Sequence, residues 1–531
     1  MQYHGPLVAE ATTTRVAHRY SVVWQWAIKI VAVGLLLFLA LYNLTEYPTP
    51  WFDEGSHLHV PKTLVRFGVY ADYSSEGFRH YGPTIGVGPT VMLPVAAMFQ
   101  LFGIGLWQAR LVIVLFLLAA VASFYLLARG LGGNSLAWVA TALLVTSQSI
   151  SLIEYGRQLL GEVPGLFFVL AGFSLWFAAW EKASWKRLGG VGLLLGLAMV
   201  TKHQYLLVLA PTLGLSWLIN LFYYRTAPQR VFIVPGIISF ACFALWQVYL
   251  ILYLGPATAQ ENLAMFRQFT SGAALVLSPE LMARGIRELL SLDVYLGWLL
   301  PALMYGLVLI LPRRKEGQQW GILFILIVFN LVWYVVASIS WIRYAFPGLV
   351  FASLFVAQLF SDLTQSFRLD WTGLWYALRR NQPELRQYAL RLGLLGWLGL
   401  MIALPLAQVI YKVVVPNFNA PVAMAAYLEQ HVPQEALIET WEPELGFLTN
   451  HNYHFPPPLL LNDAVGHIWL NKPSPAEKYN FVQTERPDYL LVGPFGHYAN
   501  LYPSDLITSL YQPVTSIGGY DLYILKDLSV Q

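Results

Sequence analysis

Charged residues are scarce in this chain of 531 residues, and their scarcity excludes a water-soluble globular protein. Only 11% of the residues are Asp, Glu, Lys or Arg, whereas 57% are hydrophobic. A soluble domain carries about 25% charged residues, because its surface must face water. The composition therefore predicts a membrane protein with many spans.

Other features are missing as well. The single cysteine, Cys242, excludes a disulfide framework within one chain. The net charge of +3 and the lack of a basic run argue against a nucleic-acid partner. No P-loop, GxGxxG, HExxH or GxSxG motif is present, so a nucleotide-driven cytoplasmic mechanism has no support. No small-residue cleavage site follows the first apolar run, which we therefore expect to remain as the first span.

Long apolar runs are abundant. A transmembrane helix needs about 20 mainly apolar residues. Eleven segments are candidates for spans: 22–43, 106–128, 135–153, 163–180, 187–201, 203–224, 231–254, 292–311, 320–338, 343–362 and 391–414. A twelfth run, 83–102, contains Pro83, Pro89 and Pro94, which interrupt helical hydrogen bonding.

The distribution of Lys and Arg indicates whether the run 83–102 crosses the membrane. Cytoplasmic loops carry an excess of these residues. If the N-terminus is cytoplasmic and 83–102 does not cross, the basic clusters fall in the cytoplasmic loops, and the short outer loops hold only Arg157, Lys202 and Arg343. We therefore interpret 83–102 as a re-entrant or interfacial helix on the outer face. The predicted membrane domain is 1–415, with long outer loops at 44–105 and 255–291.

The composition changes after the last span to that of a water-soluble domain, from residue 416 to residue 531. Short β-like runs at 489–492 and 520–525 alternate there with a helical stretch at 422–430. This pattern predicts a small extracytoplasmic α/β domain. The whole chain is then a polytopic α-helical membrane protein with about 11 transmembrane helices and one soluble domain.

The first outer loop opens with two adjacent carboxylates, Asp53 and Glu54, followed by His57 and His59. Adjacent residues project in different directions from a helix. One carboxylate can therefore face a substrate while its neighbour holds the surrounding structure. A solvated acidic cap is the alternative, but the two histidines favour a functional site.

A second polar group lies between the third and fourth spans. Ionisable residues this close to a bilayer are costly, and they usually pair or face a cavity. Arg157 can pair with Glu154 on one helix face, which is a purely structural role. Glu162 has no partner nearby in the sequence, so it is the better candidate for function.

Cations occur at two further outer positions. Lys202 interrupts an apolar run and is followed by His203. The alternative is that Lys202 only extends its amine to the membrane surface. The hydrogen-bond donor His203 beside it favours a ligand site. Arg343 precedes Tyr344 at the start of an outer-face helix, where the helix dipole and a forked guanidinium both attract a phosphate.

Carboxylates and cations at one face of the membrane suit a group transfer from a phosphate-bearing lipid. The cations hold the anionic group, while a carboxylate takes a proton from the nucleophile. A divalent metal ion is an alternative ligand at this face, since four carboxylates can bind one: Asp53, Glu54, Glu154 and Glu162.

The order of these motifs resembles the GT-C membrane glycosyltransferases, in particular the protein O-mannosyltransferase and aminoarabinose-transferase group. The resemblance covers roughly residues 20–365 and rests on motifs that share one order and one side of the membrane. The matching elements are Asp53-Glu54, Leu101-Phe-Gly103 with Arg110, Glu162, Thr201-Lys202 and Arg343-Tyr344.

The resemblance implies a role for each of these residues. Asp53 would be the general base, while Glu54 and Glu162 would position the acceptor or the sugar. Lys202 and Arg343 would bind the lipid phosphate, and Tyr344 and His203 would line its site. No cofactor is required by this interpretation. The remaining candidates for binding the acceptor or the sugar are His57, Glu154, Arg157, Arg79 and His80.

Two positions depart from the family pattern. The aminoarabinose enzymes carry Lys-Pro-Pro-Leu where this chain has Val87-Gly-Pro-Thr90, which lacks the lysine. Arg79 or His80 would have to replace that lysine. Glu162 also stands where an aspartate is more usual.

The expected function is transfer of a sugar from a polyprenyl-phosphate donor to a lipid, glycan or protein hydroxyl, with inversion. We expect it at the outer face of a prokaryotic plasma membrane, with the N-terminus cytoplasmic and membrane lipids around the spans. The alternatives are an oligosaccharide ligase or oligosaccharyltransferase relative, a transporter or flippase for lipid-linked sugars, and a sugar-binding scaffold. The charges lie at span ends and not within spans, which argues against transport.

Overall fold

The computed structural model describes residues 26–80, 86–180, 183–368, 371–380, 385–415 and 417–526. The start of the predicted span 22–43, Pro83 in the run 83–102 and the predicted domain boundary at residue 416 lie outside these residues. The membrane-domain helices are α1 (Trp26–Leu41), α2 (Phe52–Phe67), α3 (Pro89–Phe102), α4 (Leu106–Thr146), α5 (Leu152–Tyr155), α6 (Glu162–Ala179), α7 (Trp185–Thr201), α8 (His203–Ile219), α9 (Arg230–Leu254), α10 (Pro256–Phe269), α11 (Pro279–Leu289), α12 (Leu299–Ile310), α13 (Lys315–Ala337), α14 (Phe346–Leu363), α15 (Trp371–Arg380) and α16 (Leu385–Val414).

The protein is a multi-pass membrane protein. Seven helical segments within the described residues are long and apolar enough to cross a bilayer. One of them, α4, is interrupted at Gly132 and Gly133, whose backbone is not helical. Gly133 has a φ of 81°, a value that glycine adopts without steric cost. The two parts of α4 correspond to the predicted spans 106–128 and 135–153.

Two predicted spans are shorter in the structure. The span 135–153 ends at Thr146, and turns connect it to the short helix α5. The span 292–311 contains a helix that begins only at Leu299. Tyr295 and Leu296 have φ values of 51° and 48°, so a right-handed α-helix cannot continue through them.

The predicted re-entrant segment forms helix α3, which has 14 residues. At 1.5 Å per residue such a helix is about 21 Å long, shorter than a hydrocarbon core of about 30 Å. Pro89 occupies its first turn, where a missing N–H costs nothing. Gly88 precedes it and donates its N–H to the carbonyl of Thr201 at 2.9 Å. The length of α3 supports the interfacial interpretation, and the sidedness of the loops stays a prediction.

The segment 44–105, predicted to be the first outer loop, contains α2, α3 and a hairpin of strands β1 (Asp72–Ser74) and β2 (Gly77–Arg79), which pair antiparallel. Helix α2 packs against helix α18 (Pro443–Leu448) of the C-terminal domain. Gly55 permits this close approach, because a Cβ there would lie 2.2 Å from the backbone nitrogen of Glu444. The catalytic candidates on α2 are therefore held between the membrane helices and the soluble domain.

The C-terminal region is an α/β domain, as predicted. Its strands are β3 (Leu437–Thr440), β4 (Asn452–His454), β5 (Tyr489–Val492), β6 (Tyr511–Ile517) and β7 (Tyr520–Leu525). They form a mixed sheet in the order β4-β3-β5-β7-β6. Besides α18, its helices are α17 (Ala420–His431), α19 (Leu460–Leu470), α20 (Phe481–Thr484), α21 (Pro494–Ala499) and α22 (Ser504–Leu510). The predicted strands at 489–492 and 520–525 are β5 and β7, and the predicted helical stretch is part of α17.

Candidate active site

Four segments distant in the sequence bring their charged side chains together. Asp53 lies in the first turn of α2, and Glu162 lies in the first turn of α6. Lys202 has an extended backbone conformation and separates α7 from α8. Arg343 belongs to a short 3-10 helix directly before α14. Each charged residue thus lies at a helix end, where the chain changes direction.

Arg343 joins the two carboxylates. Its Nε donates to Glu162 Oε1 at 2.5 Å, and a terminal nitrogen donates to Asp53 Oδ2. Lys202 Nζ donates to the same oxygen of Glu162. The four residues, which we name the charged cluster, therefore form one connected network of two anions and two cations.

Exposure differs across the charged cluster. The side chains of Glu162 and Arg343 are 1% and 4% exposed, and Lys202 is 19% exposed. Asp53 is the most open, with 31% of its side chain exposed. Glu162 Oε2 is buried and has no hydrogen-bond partner among the described residues. Asp53 is thus the carboxylate that a molecule from outside can reach first.

Aromatic side chains surround Arg343. Its guanidinium carbon lies 5.1 Å from the ring centre of Trp341, and 5.6 Å from those of Trp51 and Tyr155. Trp469 of the C-terminal domain stacks on Trp341 with a centroid distance of 6.2 Å. Such rings attract a guanidinium through their electron-rich faces. The soluble domain therefore contributes to the border of the site.

Glu54 points away from the charged cluster. Its carboxylate accepts two hydrogen bonds from Arg110, at 2.8 and 2.5 Å, and both side chains are fully buried. The backbone N–H of Leu159 also donates to it, at 3.2 Å. Glu54 therefore ties α2 to α4 and to the loop before α6. The two adjacent carboxylates face different surroundings, as their helical geometry predicted.

His57 lies one turn after Asp53 and is buried. Its Nδ1 lies 2.9 Å from the carbonyl oxygen of Leu159, with which it forms a hydrogen bond. Burial, which disfavours the charged imidazolium, lowers the pKa of His57 to about 4. His57 is therefore neutral at neutral pH and serves as a hydrogen-bond donor beside the site.

Arg157 caps a helix and does not pair with Glu154. Its guanidinium donates to the carbonyl oxygens of Leu39, Tyr42 and Tyr47 at 2.5, 2.6 and 2.9 Å. These oxygens lie at and just beyond the C-terminus of α1, where helical carbonyls lack internal partners. Glu154 instead accepts a hydrogen bond from the Tyr47 hydroxyl at 3.3 Å.

Arg79 is the last residue of β2 in the hairpin, and His80 follows it. Arg79 pairs with Asp72, and its guanidinium lies 4.8 Å from the ring centre of Phe455. The ring of His80 is edge-on to that of Tyr253, with 6.2 Å between centroids. The segment that replaces Lys-Pro-Pro-Leu does reach the site, because Thr90 Oγ1 lies 2.7 Å from Thr201 Oγ1, beside Lys202.

Tyr344 and His203 flank the cations. The Tyr344 ring packs on Trp333, and its backbone carbonyl accepts hydrogen bonds from Gln204 and Asn330 at 2.9 and 3.0 Å. The ring of His203 packs against aromatic residues of α9 and α10, Phe243 and Phe266.

Several residues of the site were not expected from the sequence. Trp51, Tyr155, Asn330 and Trp469 were not predicted. Trp51 directly precedes the Asp53 motif and Tyr155 follows Glu154, so proximity to charged motifs was a usable signal for them. Nothing in the sequence near Trp469 indicated that it reaches the membrane domain.

The four acidic residues considered as metal ligands do not meet at one point. Glu54 pairs with Arg110, Glu154 contacts Tyr47, and only Asp53 and Glu162 share the charged cluster.

Comparison with known proteins places this geometry in a fold group. Residues 87–249 match the family described as dolichyl-phosphate-mannose-protein mannosyltransferase. No curated protein matches the sequence. Among solved structures, ArnT from Cupriavidus metallidurans bound to undecaprenyl phosphate is similar, with a TM-score of 0.62 and 14% identity over 94% of this chain and 98% of that one.

The archaeal oligosaccharyltransferase AglB from Archaeoglobus fulgidus, in complex with an inhibitory peptide and a dolichol-phosphate, is also similar. Its TM-score is 0.56, with 11% identity over 95% of this chain and 75% of that one. At these identities the likeness concerns the fold. The chain therefore has the GT-C fold that these structures share.

Proposed function

We propose that this protein transfers a sugar from a polyprenyl-phosphate donor to an acceptor hydroxyl at the outer face of a prokaryotic plasma membrane. The observation that carries the proposal is the charged cluster, in which Arg343 joins a buried carboxylate, Glu162, to a partly exposed one, Asp53. A lipid-phosphate donor needs cations to hold its phosphate, and a hydroxyl acceptor needs a base.

Lys202 and Arg343 form the phosphate site in this proposal. Their charges are offset in the ligand-free protein by Glu162 and Asp53. Glu162 is buried, whereas Asp53 is partly exposed, so Asp53 is the partner that a phosphate can replace. Donor binding then moves Arg343 from Asp53 to the phosphate, and the carboxylate of Asp53 becomes available to the acceptor. Tyr344 and His203 line the same site.

The chemical step is a single displacement at the anomeric carbon. The acceptor oxygen attacks that carbon while its proton passes to the Asp53 carboxylate, and the bond from carbon to the phosphate oxygen breaks. Polyprenyl phosphate leaves as an anion, which Lys202 and Arg343 stabilise. Attack opposite to the leaving group inverts the anomeric configuration.

Glu162 orients both cations through a single oxygen, Oε1. Its second oxygen is buried without a protein partner, and an unpaired buried oxygen is costly. We assign Oε2 of Glu162 to a hydroxyl of the donor sugar. Glu54 has both oxygens bound to Arg110, so its role is to position α2 and with it Asp53.

The comparisons support this proposal through what the similar proteins bind. The ArnT structure holds undecaprenyl phosphate, and the AglB structure holds a dolichol-phosphate. The matched family is described as using a dolichyl-phosphate sugar. A polyprenyl-phosphate donor therefore fits the fold, the family match and the charged cluster together.

The test is incubation of the purified protein with a panel of polyprenyl-phosphate sugars and candidate lipid, glycan and peptide acceptors. We expect a glycosylated product and free polyprenyl phosphate from one donor. An oligosaccharyltransferase would instead transfer a whole oligosaccharide to a peptide, and a flippase would move the lipid-linked sugar without releasing polyprenyl phosphate.

An Arg343→Ala variant tests the phosphate site. We expect donor affinity to fall about tenfold or more, because a charge-assisted pair is worth roughly 1.5–3 kcal/mol. The Michaelis constant for the acceptor should change little. An unchanged donor affinity would remove Arg343 from the phosphate site.

A further inference from the structure

A second cluster of ligating side chains lies outside the charged cluster, where the first outer loop meets the C-terminal domain. Glu76 lies in the turn between β1 and β2, His454 ends β4, and Glu485 follows α20. Each offers one ligand atom, and these three atoms lie within 4.8 Å of one another. We propose that Glu76, His454 and Glu485 bind a divalent metal ion, with zinc the best fit.

His454 has the orientation of a metal-binding histidine. Its side chain is only 2% exposed, and its Nδ1 is bound to the carboxylate of Glu439. Metal-binding histidines almost always use their second ring nitrogen in this way, which fixes the ring and leaves the other nitrogen for the metal. Nε2 of His454 faces Glu76, whose Oε1 lies 3.8 Å away.

Glu439 is itself held in place. It is fully buried, and its Oε1 accepts hydrogen bonds from the hydroxyls of Tyr479 and Tyr502 at 2.7 and 3.2 Å. The other oxygen binds His454. Glu439 thus accepts three hydrogen bonds, as do the carboxylates that hold a metal-binding histidine in place.

The donor types identify the class of metal. One imidazole nitrogen and two carboxylate oxygens suit zinc, which takes such ligands at about 2.0–2.2 Å. Two carboxylates balance its double charge, and a water molecule can complete a tetrahedron. Glu76 is half exposed, so a small side-chain rotation can bring its oxygen to a ligand distance.

The backbone already holds the two sides of the site together. The N–H of Ser75, at the hairpin turn, donates to the carbonyl of Tyr453 at 2.7 Å. Glu76 and His454 are the next residues along each segment. A metal bound there would fasten the first outer loop to the C-terminal domain, and α2 of that loop carries Asp53. The ion would therefore stabilise the arrangement that borders the charged cluster without taking part in the reaction.

Metal content of the full-length protein tests this proposal directly. Purified, tag-free protein is stripped with a chelator, incubated with excess zinc chloride, desalted and measured by mass spectrometry of the metal. We expect about one zinc per chain for the wild type. Glu76→Gln combined with Glu485→Gln should lose nearly all of it, whereas the control Glu477→Gln, an exposed acid of the same domain, should keep it.

Two further measurements distinguish a metal site from a network of ion pairs. Glu439→Gln should weaken zinc affinity by roughly 10–100-fold, because it disturbs the histidine without removing a ligand. Zinc should also slow hydrogen exchange in residues 72–79 of the wild type but not of the double variant. Equal zinc content in the wild type and the double variant would overturn the proposal. Because Glu76 is half exposed, Glu76→Gln alone repeats the test in a variant whose core is intact.

Discussion

The strongest prediction concerns Asp53→Asn, which should bind the donor more tightly while losing transfer. In the structure Asp53 is the partner that holds a terminal nitrogen of Arg343. The proposed mechanism requires the donor phosphate to displace it. An asparagine removes a negative charge next to the phosphate site and frees Arg343 in advance, so the donor has less to displace.

The magnitude follows from the exposure of the pair. Asp53 is 31% exposed, so water screens its attraction to Arg343, although Arg343 itself is buried. A pair of this kind is worth about 1 kcal/mol. Removing it should tighten binding of a polyprenyl phosphate roughly fivefold. Loss of the general base should meanwhile slow transfer by about 100-fold or more.

Two assays on the same variant separate the two roles. Calorimetric titration with a polyprenyl phosphate measures affinity, and product formation at saturating donor measures transfer. Glu261→Gln, which changes an exposed acid of α10, is the matched control and should leave both unchanged. Weaker or equal binding by Asp53→Asn would refute the displacement, and undiminished transfer would refute the role of the base.

Three other predictions concern buried polar residues of α2. Glu54→Gln should destabilise the protein by about 3–5 kcal/mol, because it leaves the buried guanidinium of Arg110 without a counter-charge; thermal unfolding in detergent measures this. Lys62→Met should loosen the C-terminal domain by about 2–3 kcal/mol, since Lys62 donates to three carbonyls at the end of α18, at 2.8, 3.0 and 2.7 Å, and limited proteolysis should then cleave that domain faster. The free energy of unfolding should depend on pH through His57, because the folded protein lowers the pKa of His57 from 6.5 to about 4. The contribution of His57 is fully present above about pH 6.5 and falls by roughly 3 kcal/mol as pH drops toward 4. Unfolding measured at each pH follows this change.

Each of these predictions has its own control. Glu54→Gln combined with Arg110→Met removes both charges, so its effect should be smaller than the sum of the single variants; strict additivity would contradict the buried pair. Lys472→Met alters an exposed lysine of the same domain, and cleavage as fast as in Lys62→Met would contradict the docking role. His57→Asn should reduce the slope of stability between pH 6.5 and 4, and an unchanged slope would assign it to other groups.

The hydrophobic pattern decided which parts of the fold could be predicted from the sequence. Long apolar runs mark spans because every backbone group must be satisfied inside a bilayer. The predicted strands 489–492 and 520–525 were found at those residues, since short apolar runs with tyrosine and β-branched residues are typical of strands. The helix of the predicted span 292–311 starts late, because the backbone conformation of Tyr295 and Leu296 interrupts a run that is apolar apart from Asp293.

The charged cluster shows what the sequence determined by itself. Scarce charge, long apolar runs and the order of polar motifs were enough to predict a GT-C-like membrane protein and to select Asp53, Glu162, Lys202 and Arg343. Charges are costly near a bilayer, so each one that occurs there stands out in the sequence.

Only the tertiary structure decided how these residues pair. In the folded chain Glu54 pairs with Arg110, whereas Asp53 and Glu162 both pair with Arg343. The tertiary structure also brought Trp469 from the soluble domain onto Trp341. These contacts join residues more than 50 positions apart, and no local pattern specifies them. Their formation depends on how helices pack and on which buried charge finds a partner, and both are properties of the folded chain.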